Sequence, residues 1–119
     1  MKKYDVSENI LKCFSGEVEM YIFDGKTEVY RRGDNEKQRG YHGKWWAFER
    51  MSIEETRNKL AVCSEWGMKL KEQYAKVMPQ GTRALIGRTA PQTIIKNGKV
   101  IEYREGGAIQ LYILDDVKA

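Results

Sequence analysis

An Asn-Gly pair at positions 97 and 98 limits the fold of this chain more than any other feature of its sequence. The pair separates two segments rich in strand formers, Thr93-Ile-Ile-Lys96 and Lys99-Val-Ile-Glu-Tyr103. Asn and Gly tolerate the positive φ angles that a two-residue hairpin turn requires. The pattern therefore predicts a β-hairpin, and with it antiparallel strand pairing.

The same strand pattern occurs in four other places: residues 18–23, 27–31, 82–86 and 109–113. The first two flank Asp24-Gly25, which predicts a second hairpin in which these two strands pair with each other. In the last segment, apolar residues alternate with Gln110 and Tyr112, so we expect these two side chains to share the outer face.

One helix is clearly indicated. Ser52-Ile-Glu-Glu55 is a capping-box pattern, and apolar or small residues follow it at helical spacing, which predicts an amphipathic helix over residues 53–63. Residues 74–78 form either a helix or a strand, and the spacing of Leu70, Tyr74 and Val77 favours the helix.

Short strands, hairpins and one or two helices predict an α+β fold with a mainly antiparallel β-sheet. The chain has 119 residues and contains no repeat, low-complexity tract or Pro/Gly/Ser linker, so we expect a single domain over residues 1–119.

Charge and composition limit the kinds of ligand, membrane and metal that this protein is expected to bind. The net charge of +4 suits an anionic ligand but is too small and too dispersed to indicate nucleic-acid binding. No apolar run reaches the roughly 18 residues that a membrane span needs, and the polar start excludes a signal peptide, so we expect a cytoplasmic protein. Cys13, Cys63 and His42 are too few for a zinc site, so no metal is expected.

Two segments in the first half are candidate ligand-binding sequences. Tyr30-Arg31-Arg32-Gly33 places two arginines at a strand end, where one guanidinium can face a cleft and hold a pyrophosphate while the other stays solvated. Gly43-Lys44-Trp45-Trp46 offers flat aromatic faces for stacking on a base, although we expect one of the two tryptophans to pack in the core.

Two segments in the second half complete the set. Gly87-Arg88-Thr-Ala-Pro-Gln92 leaves a strand through a rigid turn. Gly106-Gly107-Ala-Ile-Gln110 removes side-chain bulk before the last strand, so that a ligand or another backbone can approach closely. The Gln110 amide could bind a ribose hydroxyl or a nucleophilic water, or could simply belong to a polar outer face.

The order of these segments resembles the small ADP-ribosyltransferase-like, NAD-cleaving domains of bacterial polymorphic toxins. The similarity extends over about residues 28–114 and rests on an arginine-bearing strand, a Gly-x-Trp-Trp segment, the capped helix, a Pro-x-Gly-Thr…Gly-x-x-Ala-Pro-Gln stretch and a terminal Gly-Gly-x-x-Gln strand. The resemblance implies a split sheet that binds NAD, as substrate or ligand. It also implies site residues: catalytic Gln110 and Arg31, and cofactor-binding Tyr30, Arg32, Gly43, Trp45, Trp46, Arg88, Gly106 and Gly107.

One departure affects the expected activity. Relatives commonly carry a glutamate at the position of Gln110, and a neutral amide reproduces only part of its stabilisation of an oxocarbenium-like transition state. The expectation therefore shifts from protein modification towards NAD hydrolysis. It also leaves open a binder that sequesters an NAD-derived or ADP-ribose-type nucleotide without cleaving it, such as a phage counter-defence protein.

The expected macromolecular partners follow from the same comparison. A toxin domain would act with a protein acceptor or an immunity protein, and would be a secreted effector if it belonged to a longer protein. A different interpretation is a small interaction module in which Trp45, Trp46 and Tyr103 are the anchors.

Overall fold

The computed structural model describes residues 6–33, 44–67 and 69–115. It contains two short α-helices, one 3-10 turn at Ser64–Trp66 and eight strands. In chain order the helices and strands are α1 (Glu8–Leu11), β1 (Phe14–Ile22), β2 (Glu28–Gly33), β3 (Trp45–Trp46), α2 (Ile53–Lys59), β4 (Glu72–Val77), β5 (Arg83–Thr89), β6 (Gln92–Lys96), β7 (Lys99–Arg104) and β8 (Ile109–Ile113).

The strands form three antiparallel groups. A four-stranded sheet has the order β1-β5-β8-β3, and two-stranded sheets are formed by β2 with β4 and by β6 with β7. Tyr30 and Ala47 exchange two backbone hydrogen bonds of 2.8 Å, which join the β2–β4 pair to the segment after β3. The expected α+β class with mainly antiparallel strands is confirmed.

Each face of the four-stranded sheet packs on its own apolar cluster. Alternation along β5 sends Ala84 and Ile86 into the first cluster and Leu85 into the second. The first cluster also receives side chains from the β2–β4 pair, namely Val29 and Tyr74. The second cluster is covered by Phe14 and by the amino-terminal segment around α1. Both faces of the sheet therefore contribute to buried clusters, although most side chains of the edge strand β1 stay exposed.

The prediction that residues 18–23 and 27–31 pair as a hairpin is wrong. β1 pairs with β5, and β2 pairs with β4. The Asp24 carboxylate accepts the backbone N–H groups of Lys26 and Thr27 at 2.8 and 3.0 Å, which turns the chain away from β1. Burial of Val29 in the first cluster then favours pairing with a distant strand over pairing with a neighbour.

The capping box of α2 is confirmed, since Ser52 Oγ accepts the N–H of Glu55 at 3.0 Å and Glu55 Oε1 accepts the N–H of Ser52 at 3.1 Å. The helix ends at Lys59, four residues before the predicted end at Cys63. Ala61 has a φ of 51°, which a continuing helix does not allow. The helix therefore ends where the carbonyls of Asn58 and Lys59 accept backbone N–H groups from Gly106 and Ala108 instead of from a further helical turn.

The helical interpretation of residues 74–78 is also wrong, because β4 is a strand that starts at Glu72. Leu70 has a φ of 58°, which interrupts any helix before the strand. Pairing with β2 satisfies the backbone of β4, so tertiary contacts override the local apolar spacing.

The Asn-Gly hairpin is confirmed: Asn97 and Gly98 have φ angles of 51° and 74° and join β6 to β7. Glu102 fastens the hairpin to the body of the protein. Its carboxylate accepts the backbone N–H groups of Ser64 at 2.7 Å and Glu65 at 2.9 Å, and the guanidinium of Arg104 at 2.6 Å.

Candidate functional site

An open cleft of about 620 Å³ lies where the end of β5 and the start of β8 approach α2. Such a volume suits a nucleotide-sized ligand, since small-molecule sites span roughly 300–1,000 Å³. The cleft is lined by Phe48, Glu49, Lys59, Arg88, Gly106, Gly107, Ala108 and Ile109. Of the residues that the sequence nominated, the fold thus brings Arg88, Gly106 and Gly107 together.

The glycine pair forms one wall of the cleft. Gly106 donates its N–H to the carbonyl of Asn58 at 2.8 Å, and Gly107 donates to the carbonyl of Thr89 at 2.9 Å. Ala108 donates to the carbonyl of Lys59 at 3.2 Å. The turn therefore satisfies carbonyls at the end of α2 that no helical N–H reaches, and it holds α2 against β5.

The two glycines serve different needs. A Cβ on Gly106 would lie 2.6 Å from the carbonyl oxygen of Thr89, so the close approach is to the chain's own backbone. A Cβ on Gly107 would meet no atom within 4 Å. Both have positive φ angles, 67° and 98°. Gly106 is required for packing, whereas Gly107 borders open space in the cleft.

Two cationic side chains line the cleft. Arg88 donates from Nη1 to the carbonyl of Gly107 at 2.9 Å. Among the described residues Arg88 makes no ion pair, so most of its guanidinium donors remain for an anion. Lys59 pairs with Glu55 across one helical turn at 3.4 Å, an exposed contact that a competing anion can replace at little cost.

Gln110 lies on the opposite face of β8 from the cleft. The predicted alternation is present, because Ile109 lines the cleft and Leu111 and Ile113 enter the first cluster. Gln110 is 6% exposed, and its Nε2 donates to the carbonyl of Cys13 at 2.9 Å. The outer face that we expected to be open is thus covered by the start of β1.

The two arginines of β2 point to different environments, as the strand alternation predicts. The guanidinium carbon of Arg31 lies 5.9 Å from the ring centroid of Trp46, on the side of the first cluster. Arg32 donates to the carbonyls of Met51 at 2.6 Å and Leu70 at 3.1 Å, so its guanidinium holds the backbone on both sides of α2. Neither residue lines the cleft.

The aromatic candidates also pack within the protein. Trp46 is 2% exposed and belongs to the first cluster. Trp45 enters the second cluster, where its ring centroid lies 4.7 Å from that of Tyr112. Tyr30 donates its hydroxyl to Glu28 at 2.6 Å. Both tryptophans are packing residues here. Gly43, a further predicted cofactor-binding residue, lies outside the described residues.

The cysteines have inert surroundings. Burial raises the pKa of the Cys13 thiol. Burial is also the largest cause of the raised pKa of Cys63, followed by the nearby charge of Glu102. A raised pKa reduces the thiolate fraction at neutral pH, and the thiolate is the reactive form. Neither cysteine therefore has the environment of a nucleophile.

Three lining residues escaped sequence reasoning: Phe48, Glu49 and Lys59. Phe48 and Glu49 follow the Trp-Trp segment after Ala47, and Lys59 ends the capped helix, so their only sequence signals were the neighbouring motifs. In the parts of the chain that are described, no group of three or more His, Cys, Asp or Glu side chains could hold a metal ion. Within the same ranges, neither helix is long and apolar enough to cross a membrane.

These features define an α+β protein of mainly antiparallel strands with a cation-lined cleft at one sheet end. A similar fold occurs in a chain of a solved structure described as "Structure of Tne2 in complex with Tni2". The two chains share 15% identity and a TM-score of 0.65, over 87% of this chain and 86% of the other. Scans against protein-family models and against curated proteins give no match. At this identity the likeness shows a shared fold.

Proposed function

We propose that this protein binds NAD in the cleft and cleaves its nicotinamide–ribose bond, as a toxin-type NAD glycohydrolase or mono-ADP-ribosyltransferase. The observation that carries the proposal is the meeting of Arg88, Gly106 and Gly107 in one cleft. The β6–β7 hairpin separates Arg88 from the adjacent Gly106 and Gly107 in the sequence, and the resemblance to NAD-cleaving toxin domains implies a binding role for all three.

The lining chemistry suits a dinucleotide. The guanidinium of Arg88 and the ammonium of Lys59 offer donors and positive charge to a pyrophosphate. Phe48 presents an aromatic ring to a flat base, while Gly107 leaves room for a ligand to approach the backbone. The β2–β4 pair is a separate sheet that packs against the four-stranded sheet through the first cluster, and we propose that this arrangement is the split sheet of an ADP-ribosyltransferase-like fold.

Gln110 and Arg31, which the resemblance nominated as catalytic, are positioning residues in this proposal, because neither lines the cleft. Both act at a distance from the cleft in the described geometry. Gln110 ties β8 to the start of β1, and Arg31 lies over Trp46 beside the strand that pairs with β8. Substitution of either residue is therefore expected to slow NAD cleavage by displacing β8 and the glycine turn that precedes it.

One observation favours a second function, the binding of an NAD-derived or ADP-ribose-type nucleotide without cleavage. The Gln110 amide is occupied by the Cys13 carbonyl and faces away from the cleft. A protein of this kind would keep the cationic wall of Arg88 and Lys59 but would lack a catalytic group on the last strand. It would act by lowering the concentration of a free nucleotide.

A protein partner belongs to the first function. The neighbour of similar fold was solved as a complex of two proteins, which is consistent with a partner for this chain as well. We propose an immunity protein or an acceptor protein in that role.

The test is incubation of the purified protein with NAD, with and without candidate acceptors, followed by mass spectrometry for nicotinamide and ADP-ribose. Arg88→Ala, Arg31→Ala and Gln110→Ala should each reduce nicotinamide release. Arg83→Ala and Gln80→Ala are matched controls, because the Arg83 side chain makes an exposed pair with Asp115 and Gln80 lies in an exposed turn.

The same preparation separates the two functions. Calorimetry with NAD, ADP-ribose and cyclic ADP-ribose should give heat in either case, whereas nicotinamide appears only if the protein is an enzyme. Intact NAD together with measurable binding would establish the binder. Intact NAD and no heat with any of the three nucleotides would reject both functions.

A further inference from the structure

Glu49 contributes a carboxylate to the cleft. It lies on the same lining as Arg88 and Lys59 and its side chain is exposed. Among the described residues Glu49 forms no hydrogen bond and no ion pair, whereas Glu55 and Glu102 are each engaged by a cation. Glu49 is thus a carboxylate in a concave site that makes no ion pair of its own among the described residues, although Arg88 and Lys59 line the same cleft.

The backbone beside Glu49 is well anchored. Ala47 exchanges two hydrogen bonds with Tyr30, and Phe48 packs against the first cluster with its ring 5.5 Å from that of Tyr21 in an edge-on arrangement. A group that must act on a reacting atom has to be held in place by such supports, since small displacements are costly in rate.

Breaking the nicotinamide–ribose bond creates a need for this charge. The C1′–N bond breaks with its electron pair going to the nicotinamide nitrogen, and the ribose ring becomes an oxocarbenium-like cation. Water then adds to C1′, so that NAD and water yield nicotinamide, ADP-ribose and one proton. A carboxylate near the ribose stabilises the cation, accepts hydrogen bonds from the ribose hydroxyls and can take the proton of the water. Gln110 carries no charge and faces the second cluster.

We infer that Glu49 supplies the carboxylate that the last strand lacks, and that it binds the nicotinamide ribose in the cleft. This inference rests on the proposed function. Each lining residue then binds a different part of NAD. Arg88 and Lys59 hold the pyrophosphate, and Glu49 faces the ribose whose bond is cleaved. A binder that never cleaves NAD would have no use for a catalytic carboxylate.

The test compares Glu49→Gln and Glu49→Asp with wild type in steady-state NAD cleavage. Glu49→Gln keeps the size of the side chain and removes its charge, so kcat should fall about 100-fold or more, the usual effect of losing one transition-state group. The affinity for ADP-ribose, measured by calorimetry, should change less than about threefold, because the pyrophosphate contacts remain. Glu49→Asp should recover part of kcat.

Glu19→Gln is the matched control, since Glu19 is exposed on β1 and lies outside the cleft lining. Its kcat should equal that of wild type.

Each outcome has a distinct meaning. An active wild type with an equally active Glu49→Gln overturns the role of Glu49 and leaves the proposed function standing. Loss of ADP-ribose affinity with unchanged kcat also overturns it, because Glu49 would then only bind. A wild type that releases no nicotinamide rejects the enzymatic function, and the role of Glu49 falls with it.

Discussion

The glycine turn before the last strand allows a quantitative test of the structure. Gly106 and Gly107 are adjacent, and both have positive φ angles, 67° and 98°. An alanine at either position pays the conformational cost of that region, about 1–2 kcal/mol. Only at Gly106 does the new methyl group also meet backbone atoms, with the carbonyl oxygens of Thr89 and Ala90 at 2.6 and 2.9 Å. Relief of such overlap requires backbone shifts that cost about 1–3 kcal/mol more.

We therefore expect Gly106→Ala to lower the free energy of unfolding by about 2–5 kcal/mol and Gly107→Ala by about 1–2 kcal/mol. Alanine also reduces the entropy of the unfolded chain, but it does so equally in both variants, so the term cancels in their difference. Urea denaturation followed by tryptophan fluorescence measures both values in the same buffer. The shift should appear in the midpoint with an unchanged slope.

Equal losses in the two variants would refute the steric argument. That result would mean that α2 and β5 are not held together through this turn, or that the chain accommodates a methyl group where Gly106 touches Thr89. A larger loss in Gly107→Ala than in Gly106→Ala would contradict the geometry of the cleft wall as well.

Two further predictions concern side chains that fasten the fold. Burial raises the pKa of Glu102, but the hydrogen bonds that it accepts outweigh this and lower the pKa from 4.5 to about 2. The contribution of the Glu102 carboxylate to stability is therefore present above about pH 4.5 and is lost as the pH falls towards 2. Urea denaturation at pH 7 and pH 3 should therefore show a smaller acid-induced loss of unfolding free energy in Glu102→Gln than in Glu19→Gln. Arg32→Ala should lower the free energy of unfolding by about 1.5–3 kcal/mol, because the carbonyls of Met51 and Leu70 lose a charged donor, and a change below about 0.5 kcal/mol would contradict that role.

Some local features could be read from the chain directly. The capping box at Ser52, the Asn97-Gly98 turn and the bounds of the last strand all appear where the sequence predicts them. Each depends on interactions within a few residues, so neighbouring side chains and backbone preferences suffice to determine it.

Strand partners could not be read in the same way. The Asp24-Gly25 turn has the composition of a hairpin turn, yet β1 and β2 belong to different sheets. The Asp24 carboxylate binds the backbone after the turn, and burial of Val29 in the first cluster selects the pairing. Such choices depend on which apolar faces can be buried together, a property of the whole chain.

The candidate site also has features that local sequence specifies and features that depend on tertiary packing. The sequence by itself determined that the Gly106-Gly107 turn lets another backbone or a ligand approach closely, because glycine has no side chain, and it nominated Arg88 as a binding residue only through the family resemblance. Only the tertiary structure decided that Glu49 and Lys59 join them in the cleft, and that the Gln110 amide binds the Cys13 carbonyl on the other face of the sheet. Those placements follow from packing β8 between β5 and β3 and covering both faces of the sheet, which no local pattern specifies.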